Sequence, residues 1–297
     1  MSHMRPTLAF DLWHRRGGGE RGAWSRSNEC AIVAKKLNTG AAADQGVVRH
    51  FAENRLLAAL KPADRALLEP HLQLVELAYG DVLFEPGDDV TQTHFPLPGV
   101  MASLVVLMSD GRSAETATVG CEGAIGGIVS AGHKPAFARA TVQLAGPALR
   151  VETARLEDVK SRSASLRDLF SRYADALLAQ VLQSVACNAL HTMEGRLCRW
   201  LLSTQARVGG DELALTQETL AEMLGVHRAT LIRVARPLQD RGLIRYRRGR
   251  IKFIDQQGLE EAACECHATV ARHFARVLPE IIPQLIAATA LAPAEGA

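Results

Sequence analysis

The stretch that most constrains the fold is residues 215–254, which read LTQETLAEMLGVHRATLIRVARPLQDRGLIRYRRGRIKFI. Thr216 can cap a helix that carries apolar residues at helical spacing and ends at Gly225, where a left-handed turn is favoured. A second helix is predicted over residues 227–241. After Gly242 the apolar period changes to two, and a basic turn separates two short strands. Cap, turn and hairpin together predict a winged helix-turn-helix.

The second helix of this motif is the candidate recognition helix. Its apolar residues recur at helical spacing, so Arg228, Thr230 and Arg233 project from other faces. Residues 195–258 hold twelve Lys or Arg against six Asp or Glu, in a chain whose net charge is only +2. This excess of basic charge suits a polyanion. A helical pair with a merely solvated charged face is the alternative, and the agreement of the three local signals favours the reading motif.

The chain as a whole predicts more than one domain. Its 297 residues are 47% hydrophobic, which is enough for two folded domains and a linker. We predict a mostly disordered extension over residues 1–48, an antiparallel β-roll over 49–154, a central helix over 155–192, a winged helix-turn-helix domain with a C-terminal helix over 193–282, and a flexible tail over 283–297. The predicted fold class is α+β.

The central helix carries an apolar stripe. Its members are Leu166, Phe170, Tyr173, Leu177, Val181 and Val185. A stripe longer than the core of one domain needs is best buried against its own copy, in a two-fold seam like that of a coiled coil. The stripe therefore predicts a homodimer.

Several classes of protein are disfavoured. No run approaches the ~18 apolar residues of a membrane span, and no secretory signal pattern is present, so we expect a cytoplasmic protein. Six cysteines spread along the chain predict reduced thiols. An enzyme would need a convergent catalytic set, but Cys121, Glu122 and His133 share no recognised catalytic spacing. We expect neither catalysis nor a cofactor.

Two groups of residues resemble metal ligands. The first is Cys264-Glu265-Cys266-His267, but on the continuous helix predicted over residues 259–278 the two cysteines would point to different faces. The second is Cys187 with His191, four residues apart on the central helix, where a buried cysteine and a satisfied histidine are the commoner outcome. No metal site is predicted.

The order of roll, long helix and winged helix-turn-helix resembles the bacterial regulators of the cyclic AMP receptor protein and FNR family (CRP/FNR). The matching strings lie at residues 54–57, 80–87, 95–96, 110–111, 120–123, 194–197 and 215–244, and together they span most of residues 51–255. The resemblance implies a transcription regulator that binds double-stranded DNA as a homodimer. It also implies contact with RNA polymerase and response to a small-molecule effector, without a membrane partner.

The resemblance also implies which residues contact DNA. The family's recognition helix carries an Arg-Glu-Thr-x-x-x-Arg-like string, and here the helix reads Arg228-Ala229-Thr230-Leu231-Ile232-Arg233. Arg228 and Arg233 are expected at guanine edges, whereas Ala229 offers only a methyl contact. Phosphate contacts are expected from Thr216, Gln217, His227 and Thr230, and from Arg247, Arg248 and Arg250 in the wing.

The effector site departs from the family pattern. Relatives that bind cyclic nucleotides use a Gly-Glu pair for the ribose and Arg-Ser/Thr-Ala for the phosphate. Aligning residues 136–140 with the end of that cassette puts Lys134 at the arginine, Pro135 at the hydroxyl residue and Ala124 at the glutamate. A frame that uses Glu122 instead leaves glycine opposite the arginine, so cyclic AMP is disfavoured.

The candidate effector residues are Glu122, Gly123, Ala124, Lys134, Arg139 and Val181. An iron-sulfur cluster of the FNR kind is not supported, because only Cys30 lies in the N-terminal region. Two possibilities stay open. The chain binds DNA without an effector, or its DNA binding depends on another small molecule or a variant cyclic nucleotide.

Overall fold

A computed structural model describes residues 47–281. The predicted extension over residues 1–48 and the predicted tail over 283–297 fall almost entirely outside this range, although residues 47–50 are helical. In chain order the described residues form a short helical segment, an antiparallel β-roll, two successive helices and a winged helix-turn-helix. This arrangement confirms the predicted α+β fold class.

The β-roll consists of two antiparallel sheets preceded by two short helices. The helices are α1 (Arg55–Ala58) and α2 (Pro62–Leu68), and the strands are β1 (Gln73–Leu77), β2 (Val82–Phe84), β3 (Gln92–Pro96), β4 (Met101–Leu107), β5 (Ser113–Val119), β6 (Arg139–Leu144) and β7 (Gly146–Glu152). One sheet has the order β1-β7-β3 and the other β2-β6-β4-β5. Buried aliphatic residues such as Val100, Val142 and Ile125 form the cores of the roll.

The predicted central helix is two helices, α3 (Thr153–Arg162) and α4 (Ala164–Leu190). The break lies at Ser163, whose backbone is extended and whose side chain caps α4 by accepting a hydrogen bond from the Leu166 amide. The same hydroxyl donates to the buried carboxylate of Asp64 on α2. A cap that is also bound to a neighbouring helix ends one helix and begins the next.

Part of the predicted dimer seam lies inside the chain. Leu166, Phe170 and Tyr173 are at most 3% exposed and belong to the core that joins α4 to the roll and the first helices. The hydroxyl of Tyr173 accepts a hydrogen bond from the Ala124 amide at 3.0 Å. These three residues thus close the core of their own chain, where the sequence predicted contact with a second copy.

The C-terminal part contains the winged helix-turn-helix and two further helices. Its elements are α5 (Met193–Val208), β8 (Glu212–Ala214), α6 (Gln217–Met223), α7 (Arg228–Asp240), β9 (Ile244–Arg247), β10 (Arg250–Phe253), α8 (Gln256–Ala262) and α9 (Cys266–Val277). The single helix predicted over residues 259–278 is therefore broken between α8 and α9. None of the helices in the described range is long and apolar enough to cross a membrane.

Helix α9 packs mainly on α4, not within the winged helix-turn-helix. Its residue Phe274 and the following Leu278 and Ile281 are buried in the same core as Phe170. The predicted domain over residues 193–282 thus combines two parts. Its last helix covers α4, and the winged helix-turn-helix itself ends near α8.

Candidate nucleic-acid interface

Helix α7 has one buried and one exposed face. Leu231, Ala235 and Leu238 are at most 8% exposed and pack into the core of the C-terminal domain. These three residues lie three and four positions apart and so share one face of the helix, whereas Arg228 and Arg233 are exposed to solvent. The side chain of Ala229 is exposed beside them.

The turn that positions α7 forms as the sequence predicts. The hydroxyl of Thr216 accepts a hydrogen bond from the Thr219 amide at 3.1 Å and caps α6. Gly225 adopts a φ of 64°, a left-handed conformation that glycine reaches without the steric cost of a side chain. Val226 then donates its amide to the Ala221 carbonyl, which closes the turn before α7 begins.

The two arginines of α7 have different surroundings. Arg228 donates to the Gln217 side chain at 2.9 and 3.1 Å and lies 2.8 Å from a carboxylate oxygen of Glu218. Within the part of the chain that the structure describes, the guanidinium of Arg233 makes no hydrogen bond or ion pair. Arg233 can therefore meet a ligand without giving up a contact, whereas Arg228 has to exchange partners.

The wing is a tight hairpin with a basic tip. Arg248 and Gly249 have φ values of 51° and 72°, the left-handed pair typical of a two-residue turn between twisted strands. Strand β8 extends the hairpin to three strands in the order β8-β10-β9. The hydroxyl of Tyr246 donates to the Leu215 carbonyl at 2.6 Å and fastens the wing to the start of the motif.

The predicted phosphate-contacting residues lie around α7 and the wing. Exposed members are Thr216, His227, Arg247, Arg248 and Arg250, while Gln217 and Thr230 are half-buried. Arg250 forms an ion pair with Glu212 on the adjacent strand. Sequence reasoning missed Arg236, which is exposed and lies three residues beyond Arg233 on α7. That three-residue spacing, which places two residues on one helix face, was the available signal. Ile232 is also exposed.

The roll and the C-terminal domain share an interface. Met101 and Leu144 of the roll are buried in the same core as Trp200 and Leu220. The Tyr79 hydroxyl lies 2.8 Å from the Thr219 hydroxyl, so the first helix of the motif contacts the roll directly. Helix α7 is therefore part of a domain that packs against the roll.

This architecture has counterparts among known proteins. The family described as the Crp-like helix-turn-helix domain matches residues 195–262. No curated protein sequence matches the chain. Residues 195–262 therefore form a Crp-like helix-turn-helix domain. This finding confirms the resemblance for the helix-turn-helix domain and, through the solved structures, for the fold.

Solved structures of low sequence identity share this fold. FixK2 from Bradyrhizobium japonicum is 17% identical with a TM-score of 0.56, over 65% of this chain and 98% of that one. The regulator CLP of Xanthomonas campestris, described as responsive to c-di-GMP, is 16% identical with a TM-score of 0.54, over 65% and 99%. A CRP-family transcriptional regulator from Thermus thermophilus is 17% identical with a TM-score of 0.53, over 64% and 96%.

The candidate effector residues do not form one site. Glu122 is buried and paired with Arg207 of α5 at 2.7 Å. A side chain at Gly123 would collide with the Tyr173 hydroxyl, and Ala124 is 3% exposed beside it. Val181 is half-buried on α4. Glu122, Gly123 and Ala124 thus lie beneath α4 and α5.

Lys134 and Arg139 have separate partners on the roll. Lys134 is half-buried, and its ammonium donates to the Gly132 carbonyl at 2.9 Å. Arg139 donates to Glu85 at 2.8 Å. The cavity next to Glu122 has a volume of about 40 Å³ and is lined by Arg207 and by residues of α9. That volume suits a few water molecules, so a nucleotide would have to displace α9.

A second polar link crosses the same interface at Glu115. Its carboxylate accepts hydrogen bonds from the Trp200 indole at 2.8 Å and from the Ser103 hydroxyl at 2.5 Å. Burial raises the pKa of this carboxyl to about 7, against the opposing effect of these hydrogen bonds and of Arg199 and Arg207. The folded chain therefore holds a proton at Glu115 that the unfolded chain releases at lower pH.

This raised pKa predicts how stability changes with pH. The contribution of Glu115 is fully present below its ordinary pKa of 4.5 and is lost as the pH rises through about 7. We expect Glu115→Gln to leave the free energy of unfolding nearly unchanged at pH 5 and to raise it relative to wild type at pH 8. Urea unfolding of both proteins across this range measures the difference. A difference that stays constant with pH would contradict the assignment.

Proposed function

We propose that this chain is a homodimeric, cytoplasmic regulator of transcription that reads a palindromic operator through paired copies of α7. The observation that carries the proposal is the exposed basic face of α7 beside a wing with a basic tip. Arginine pairs with guanine edges in the major groove, and wing arginines suit phosphates. A helix presented in this way on a winged motif is the usual geometry for groove reading.

A second copy of the chain accounts for the exposed apolar face of α4. Leu178, Leu182 and Val185 are 55%, 61% and 65% exposed. Together with the exposed Ala189 they follow the spacing of four, three and four residues that lines a coiled-coil seam. Two such helices around a two-fold axis would bury this face and set two recognition helices about one turn of DNA apart.

Replacing Leu182 with glutamate tests the seam. A charge buried in an apolar dimer contact is strongly disfavoured, so we expect Leu182→Glu to halve the particle mass measured by light scattering at micromolar protein. Leu74→Glu is the matched control, because Leu74 is an exposed leucine on β1 of the roll, outside α4. A Leu182→Glu protein that keeps the wild-type mass would refute this interface.

The proposal of DNA binding is tested with genomic fragments. The purified chain should retard a subset of fragments in a gel shift and resist competition by an excess of random DNA. Retardation that random DNA removes completely would mean only phosphate attraction, which carries no sequence preference. That outcome would contradict a sequence-specific regulator.

Control of DNA binding by a small-molecule effector is the second candidate function. The polar contacts between the roll and the winged helix-turn-helix domain favour it. Glu122 with Arg207, and Glu115 with Trp200, join the two parts across buried contacts. A ligand that changed these contacts would alter the position of α7. Thermal shift against cyclic AMP, c-di-GMP and a metabolite panel tests this. We expect no shift with cyclic AMP, because Lys134 and Ala124 replace the cassette's charged residues.

A further inference from the structure

Four metal-ligand side chains converge where α4 ends. Cys187 and His191 lie four residues apart at the end of α4, and Cys264 and Cys266 lie at the break between α8 and α9. The ligand atoms of all four lie within 4.8 Å of one another. We call these four residues the Cys3His cluster.

The backbone explains why the sequence did not predict this convergence. On the continuous helix that the sequence predicts, the two C-terminal cysteines would point to different faces, but Ala263 is extended and α9 begins only at Cys266. The break lets both thiols face α4. The Cys264 amide also donates to the Gly195 carbonyl at 3.4 Å, so the segment is held against the start of α5.

We propose that the Cys3His cluster binds one zinc ion in tetrahedral geometry. Three thiolates and an imidazole are a common ligand set of structural zinc. With bonds of about 2.3 Å to sulfur and about 2.0 Å to nitrogen, neighbouring ligand atoms on zinc lie roughly 3.5 to 3.8 Å apart. The Sγ atoms of Cys187 and Cys264 lie 3.5 Å apart, and Cys266 Sγ lies 3.3 Å from His191 Nδ1.

The compactness of the cluster favours one ion over an iron-sulfur cluster. A two-iron cluster divides its ligands into two pairs, one on each iron, and so holds the pairs further apart than the ligands of one ion. All four ligand atoms here lie within 4.8 Å of one another. Thiolate and imidazole ligands also favour zinc over magnesium or calcium, which prefer oxygen.

The surroundings hold the ligands in the required orientation. His191 faces Cys266 with Nδ1, while its Nε2 lies 3.1 Å from a carboxylate oxygen of Glu265. A carboxylate on the second ring nitrogen fixes the tautomer of a metal-binding histidine. Gln183 donates its amide to Cys266 Sγ at 3.0 Å. Both contacts are those expected around a bound ion.

Nearby positive charge offsets the charge of the site. Three thiolates and a divalent ion carry a net charge of −1. The guanidinium groups of Arg196 and Arg199 lie close enough to act electrostatically on Cys187. A bound ion would fasten the end of α4 to the segment between α8 and α9, so it would brace the junction between the long helix and the winged motif.

Metal analysis of the full chain tests the proposal. Protein purified in reducing buffer without added chelator should contain about one zinc per chain by elemental mass spectrometry, and its cobalt-substituted form should show the visible bands of a tetrahedral thiolate site. Cys187→Ala, Cys266→Ala and His191→Ala should each lose most of this zinc. Cys198→Ala, a buried cysteine outside the cluster, is the matched control and should keep it.

A second measurement covers variants that fail to fold. A zinc chelator should lower the melting temperature of the wild-type chain, and added zinc should restore it, because an ion that binds only the folded state stabilises it. A metal-free wild-type protein with octahedral cobalt spectra would overturn the proposal. So would equal zinc loss in Cys198→Ala, more than one iron per chain, or a Cys187 to Cys264 disulfide in the reduced preparation.

Discussion

Replacing Arg233 with alanine is expected to weaken binding to a specific DNA fragment by about 5- to 150-fold, which corresponds to about 1 to 3 kcal/mol for a bidentate contact with guanine. Arg233 is exposed on α7. Its guanidinium makes no ion pair with any residue in the described range, so the loss reflects DNA contact and not a broken internal contact. Fluorescence anisotropy at fixed salt measures the effect.

The control for this prediction is Arg162→Ala. Arg162 is an exposed arginine on α3 whose partner is Asp158, and its removal takes away the same charge from a surface outside the winged motif. Its affinity should stay within about twofold of wild type, since one distant charge contributes little. Undiminished binding by Arg233→Ala would remove α7 from the mechanism. If Arg233→Ala and Arg162→Ala lost the same affinity, Arg233 would contribute only its charge and not a base contact.

The largest stability effect is expected at Arg207. Its side chain is 10% exposed, and its guanidinium pairs with Glu122 at 2.7 Å and donates to Gln180 at 3.0 Å. Removing one partner of a buried ion pair leaves an uncompensated charge and costs about 3 to 5 kcal/mol. Arg207→Ala should therefore lower the free energy of unfolding by about that amount, as measured by urea denaturation.

A double variant separates two causes of the lost stability, which are the unpaired charge of Glu122 and the lost packing of Arg207. In Arg207→Ala with Glu122→Gln a neutral amide replaces the carboxylate, so part of the lost stability should return. Arg207→Met keeps most of the side-chain volume but also leaves the Glu122 charge unpaired. Its free energy of unfolding should therefore resemble that of Arg207→Ala. If Arg207→Ala costs less than about 1 kcal/mol, a typical surface ion pair, the interface is not held in the way the structure indicates.

The winged motif could be predicted because its signals are local. The Thr216 cap, the left-handed Gly225 and the hairpin turn at Arg248 and Gly249 are each set by a few neighbouring residues. The apolar spacing within α7 likewise identifies its outer face. Structures that are fixed by short stretches of chain can be inferred from one sequence.

The faces of α4 could not be predicted in the same way. The helix is apolar on more than one side, and spacing alone does not say which side meets its own chain. Phe170 and Tyr173 are buried because the first helices and the roll close over them, whereas Leu182 is left exposed. That choice depends on long-range packing, which a period in the sequence does not encode.

The Cys3His cluster and the Arg207 pair were missed for a related reason. Cys187 and Cys264 are 77 residues apart, and Glu122 and Arg207 are 85 apart. Contacts at such separations follow from the tertiary arrangement. The break at Ala263 was also hidden, because the surrounding sequence carries a continuous helical pattern.

The most direct test of a symmetric regulator is selection of bound sequences by the purified protein from a random DNA library. We expect enrichment of a two-fold symmetric sequence whose half-sites are centred about one helical turn, roughly 34 to 36 Å, apart. Guanine in each half-site should be the position most sensitive to Arg233→Ala. A library that emerges without enrichment, or an enriched sequence with no symmetry, would contradict a symmetric reader built on α4 and α7.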